Sequence, residues 1–83
     1  MSINQFRDYV NNKLGPVSAS DAIVLKAFLQ QRSTADLILK YNNLRYNFNR
    51  SKYDQEIFHI IRIILDERNF KSLDNHPLGC IIL

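Results

Sequence analysis

The chain has almost none of the residues that build the commoner chemical sites. Of its 83 residues one is cysteine, two are glycine, two are proline and none is tryptophan. The lone cysteine, Cys80, excludes an intramolecular disulfide, so no covalent staple supports the core, and a reducing, cytoplasmic setting is the expectation. Gly15 and Gly79 are too few for a Gly-rich phosphate loop or a dinucleotide fingerprint. His59 and His76 lie far apart with no second cysteine, which leaves no metal-ligand spacing. No serine occupies a nucleophile elbow, and the acids are scattered singly. His59, between Phe58 and Ile60, has the chemistry of a general base. Its place at the margin of an apolar stripe reads better as a half-solvated helix residue. The expectation is a protein with no catalytic residue, no metal and no cofactor, and hence not an enzyme. The longest apolar stretch, Ile57 to Leu65, is broken by His59 and Arg62 and falls far short of the roughly 20 residues of a membrane span. The N-terminus lacks a charged region followed by an apolar run, so no secretory signal is expected.

What is present points to helices. Four times a serine is followed three residues on by a side chain that can return a hydrogen bond: Ser2 with Gln5, Ser18 with Asp21, Ser33 with Asp36 and Ser51 with Asp54. A serine hydroxyl there accepts from an unsatisfied N–H of the first helical turn. An acid in that turn also meets the positive end of the helix dipole. Each box opens an apolar-periodic stretch, which predicts helices over about 3–14, 19–31, 34–46 and 52–68. The first has a stripe of Ile3, Phe6, Val10 and Leu14, stopped by Gly15 in the left-handed position and Pro16 behind it. The second is apolar around more than half its circumference, through Ala22, Ile23, Leu25, Ala27, Phe28 and Leu29. The third aligns Leu37, Tyr41, Leu44 and Phe48 and weakens where Asn42, Asn43, Asn47 and Asn49 gather. The fourth has a wide stripe of Ile57, Ile60, Ile61, Ile64 and Leu65.

With 46% hydrophobic and 23% charged residues the composition is that of an ordinary globular domain. The expected fold is all-α: a small four-helix bundle or orthogonal helical array over 1–69, with an irregular apolar C-terminal tail over 70–83 folded back on it. Short connections favour antiparallel neighbours.

Three features bear on function. The apolar surplus on the second and fourth helices suggests a protein–protein interaction module, such as an adaptor, inhibitor, chaperone-like binder or small complex subunit. Its expected anchors are Phe28, Leu29, Phe58 and Ile61, and its partner another protein or a second copy in a homo-oligomer. The net charge of +3 permits an anionic partner. The segment 40–53 holds Lys40, Arg45, Arg50 and Lys52 with no acid, interleaved with aromatics and asparagines. It could bind nucleic acid, with Tyr46 and Tyr53 stacking or positioning. The opposite reading puts Tyr41, Leu44 and Phe48 in the core and the charges on a solvated face. Finally, Cys80-Ile81-Ile82-Leu83 resembles a CaaX box of the geranylgeranyl type, which implies a lipid on Cys80 and membrane association. Lys71 and His76 are the nearby positive charges that would assist it, opposed by Asp74.

Overall fold

The computed structural model describes residues 2–69, and they form four helices with no strand among them: α1 (Ile3–Asn12), α2 (Ala19–Gln30), α3 (Thr34–Arg45) and α4 (Lys52–Glu67). The fold is a small all-α array. The expected tail, Cys80 with it, lies outside the described residues.

Every helix begins where its serine predicts. Ser2, Ser18, Ser33 and Ser51 are N-caps in extended backbone, and each hydroxyl accepts from the N–H three residues on. Among the described residues the reciprocal bond is made only by Gln5, whose Oε1 accepts from the Ser2 N–H at 2.9 Å. Asp21 turns its carboxylate elsewhere. It accepts from the Lys13 ammonium at 2.7 Å and from the Tyr9 hydroxyl at 3.3 Å, tying the end of α1 to the start of α2.

Helix ends depart further from expectation. α1 stops at Asn12 because Lys13 takes an extended conformation. Leu14, counted in the stripe, is therefore outside the helix and 95% exposed. Gly15 has φ +83 but sits in the connection, not directly behind the helix. α3 likewise stops at Arg45, so Phe48 leaves the stripe and is 92% exposed. α4 ends on Asn69, whose φ of 70 is the left-handed turn that asparagine tolerates best after glycine.

α4 organises the domain. It packs against each of the other three helices. Tyr53, Ile57, Ile60, Ile61, Ile64 and Leu65 are buried along it, and they join Phe6 and Val10 of α1, Leu25 and Leu29 of α2, and Leu37, Ile38, Tyr41 and Leu44 of α3 in one core. Each such aliphatic or aromatic side chain contributes roughly 1.5–3 kcal/mol on burial.

The ends of α4 are also fastened. At its start, the Lys52 ammonium donates to the carbonyls of Lys13 and Gly15, the latter at 2.7 Å. The Tyr53 N–H donates to Asn11 Oδ1 at 2.9 Å. At its end, the Arg68 guanidinium donates to the Gln30 and Arg32 carbonyls and to Thr34 Oγ1, at 3.1, 3.2 and 3.1 Å. Carbonyls left without partners where α1 and α2 stop are thereby satisfied by cations, the charge that the negative end of a helix dipole favours.

Two stability outcomes follow. A Cβ built on Gly15 meets nothing within 4 Å, so the cost of Gly15→Ala is conformational alone. Urea denaturation should show a loss of about 1 kcal/mol, and less for Gly15→Asn. The hydrogen bond from Lys13, helped by Ser18, holds the Asp21 carboxyl below its usual range despite its partial desolvation. A depressed folded pKa gives stability that is complete above the ordinary carboxylate range and lost as pH falls through the folded value. Melting temperature followed from about pH 6 down to about pH 2 should therefore fall less steeply in Asp21→Asn than in the parent chain.

Candidate functional site

A cleft of about 650 Å3 opens between α1 and α3. Its floor is apolar and comes from all four helices: Ile3, Phe28, Leu29, Leu37, Tyr53 and Ile57. Its rim is charged, with Arg7 on α1, Arg32 between α2 and α3, Asp36 and Lys40 on α3, and Asp54 on α4. Helical spacing explains the α3 wall, where Asp36, Lys40 and Asn43 succeed one another at one-turn intervals, with Leu39 alongside. Leu37, Tyr41 and Leu44, about a quarter-turn round the helix from that row, enter the core, and Leu37 also reaches the cleft floor.

Tyr53 is the polar group of the floor. Its residue is 7% exposed, and burial pushes its phenol above the usual tyrosine range. Arg32 and Arg7 pull in the opposite direction, Arg32 more strongly, and Asp54 adds to the rise. Burial thus keeps the phenol protonated, a hydrogen-bond donor in a cleft whose rim carries two guanidiniums. The two carboxylates of the rim occupy first turns, Asp36 in α3 and Asp54 in α4, where the helix dipoles offset their charge. The side chains of Arg32 and Lys40 make no hydrogen bond or ion pair among the described residues. Arg7 has only a loose, well-exposed contact with Asp8 at 3.7 Å. With three cations and two carboxylates on the rim, the cleft carries a net of one positive charge.

The four expected protein-binding anchors separate. Phe28 and Leu29 line the cleft floor. Phe58 is half-buried outside it, stacked on Tyr41 with centroids 4.8 Å apart and with the Arg50 guanidinium 4.4 Å from its own centroid. Ile61 is fully buried in the core and cannot anchor a partner, a correction that follows from α4 packing on three helices at once. The expected apolar surplus on α4 shrinks for the same reason to Ile63. On α2 it persists, since Ile23 is 69% and Val24 42% exposed and Ala27 is exposed beside them.

The basic segment does not form one face. Lys52 is fastened to backbone carbonyls, Arg50 lies over Phe58, and Tyr53 is buried, so its ring is not open to stack on a base. Lys40 stands on the cleft rim. Arg45 and Tyr46 are paired at the end of α3, the guanidinium 6.0 Å from a ring that is 59% exposed. His59 is exposed on α4, with Gln55 Nε2 3.0 Å from its Nε2. Asn42, expected as a helix-weakening residue, is buried within α3, its amide without a hydrogen-bond partner among the described residues. No group of three potential metal ligands occurs among the described residues, nor a helix long and apolar enough to cross a membrane.

Sequence reasoning missed Arg7 and Arg32. They stand on separate elements, and no spacing links them until the helices cross. Compared with protein-family models, curated proteins and solved structures, the chain matches none.

The balance of forces on Tyr53 can be read by absorbance near 295 nm. One tyrosine should ionise above the ordinary range of about pH 10, disappear in Tyr53→Phe, and move higher still in Arg32→Gln.

Proposed function

We propose that the chain is a non-enzymatic protein–protein interaction module that holds an apolar segment of a partner protein in the cleft between α1 and α3. The observation that carries this reading is the apolar lining: Ile3 and Phe28 stay partly exposed in a cleft whose base is formed by the core residues Leu29, Leu37, Tyr53 and Ile57. A volume of about 650 Å3 lies in the range of ligand-binding clefts. Clefts between helices with apolar floors commonly take the apolar face of a further helix, read through side chains one turn apart. The exposed ridge of Ile23, Val24 and Ala27 on α2 offers a second apolar surface to the same kind of partner. Nucleic-acid binding has less support. Among the cations of the basic segment, Lys52 and Arg50 are engaged within the domain.

Selection of helical peptides from a displayed library provides the test, with two variants of exposed residues. Asn43→Trp fills the cleft from its α3 wall, whereas Gln55→Trp adds the same bulk on the part of α4 outside it. Peptides selected on the parent chain should carry apolar residues at one-turn spacing, lose about tenfold or more in affinity for Asn43→Trp and keep their affinity for Gln55→Trp. Peptides indifferent to Asn43→Trp, or an oligonucleotide bound more tightly with a steep salt dependence, would sink the reading.

A further inference from the structure

We infer that the partner segment is an amphipathic helix with carboxylates beside its apolar face, and that Arg7, Arg32 and the Tyr53 hydroxyl receive one of them while Lys40 faces another. The inference rests on the interaction reading of the same cleft and names the chemistry of what fills it.

Charge complementarity carries it. Arg32 and Lys40 make no hydrogen bond or ion pair among the described residues, and Arg7 makes only the loose contact with Asp8. Charged groups on a binding rim steer association and fix register most when they await a partner instead of being satisfied within the domain. Asp36 and Asp54 offset them only in part: each sits in the first turn of a helix, and neither forms an ion pair with the three cations. Arg7, Arg32 and Tyr53 line the same cleft, so two guanidiniums and a phenol donor share its apolar floor and rim. A carboxylate suits such a set, since a guanidinium presents two parallel N–H groups to its two oxygens and the phenol adds a third donor.

The rim also distinguishes among anions. Asp36 and Asp54 share the rim with the three cations, so a continuous phosphate backbone laid across it meets carboxylates as well as cations. Discrete carboxylates on a helix, one turn apart, can match the cations and avoid the acids. The floor needs an apolar face of similar spacing, which a helix supplies in the same segment.

The test uses the complete chain and three synthetic amphipathic helices of about 18 residues that share one apolar face and carry Glu, Gln or Lys beside it. Binding is followed by fluorescence anisotropy at about 50 mM salt. The Glu peptide should bind about tenfold more tightly than the Gln peptide, and the Lys peptide most weakly. The Arg7→Gln/Arg32→Gln double variant should bring the Glu and Gln peptides level. Lys26→Gln/Arg45→Gln, which removes as much charge outside the cleft, should leave the preference intact. Circular dichroism checks that all variants keep their helices. Equal affinity for the Glu and Gln peptides, or a Glu preference that survives Arg7→Gln/Arg32→Gln, overturns the inference. Loss of Gln-peptide binding in Asn43→Trp would then show that the interaction reading still stands. Failure of every peptide to bind in a manner sensitive to Asn43→Trp overturns both. Displacement of the Glu peptide by an oligonucleotide overturns the assignment to protein.

Discussion

Lys52 and Arg68 sit at opposite ends of α4 and both donate to carbonyls where another helix stops. The rest of the domain depends on this arrangement. An 83-residue chain without a disulfide has a small core, and the ends of its helices expose polar groups that water would otherwise satisfy. Lys52 closes the end of α1 and Arg68 the end of α2, while Asn11 of α1 returns the favour to the first turn of α4. The helix that supplies the largest share of the core is thus also the helix that fixes where its neighbours end. Lys13 and Asp21 extend the arrangement to the corner between α1 and α2.

The cleft is a consequence of that plan. With α4 at the centre, α1 and α3 both rest against it, and the side chains between them determine whether the space closes. Ile3, Phe28 and Leu37 reach the floor but do not fill the gap, and the facing positions above them are Arg7, Arg32, Asp36 and Lys40. Charged side chains keep their ends in water and leave such a space open where leucines would collapse it. α2 contributes in a second way. Its apolar residues run around the whole helix, so burying Leu25 and Leu29 leaves Ile23, Val24 and Ala27 outside.

Helix starts were legible in the sequence because a cap is a local event: one serine, one N–H, three residues apart. All four serines cap. Ends were less legible, because a periodic pattern can run on into residues that no longer follow the helix. Leu14 and Phe48 continue the spacing of their stripes, yet Lys13 and Tyr46 have already left helical backbone. The width of α4's stripe was legible, but its meaning was not, since a helix facing a partner and a helix surrounded by three others show the same pattern. The cleft was hidden for a related reason. Sequence spacing gives the face of each helix and says nothing of the angle at which two helices cross, so Arg7, Arg32 and Tyr53 become neighbours only in three dimensions.

The same distinction between local and assembled charge bears on the basic character of the chain. A surplus of positive charge concentrated in one segment suggests a polyanion as partner. Distributed over a folded surface it can mean something else. Lys52 is fastened inside the domain, Arg50 lies over an aromatic ring, and Arg45 stands beside Tyr46 at a helix end. Lys40 leaves the segment and joins Arg7 and Arg32, which are distant in sequence, around an apolar floor. A polyanion rewards a row of cations along a surface. A few cations spaced around an apolar depression reward a ligand that is itself mostly apolar and acidic at a few points, and an amphipathic segment of another protein has that composition.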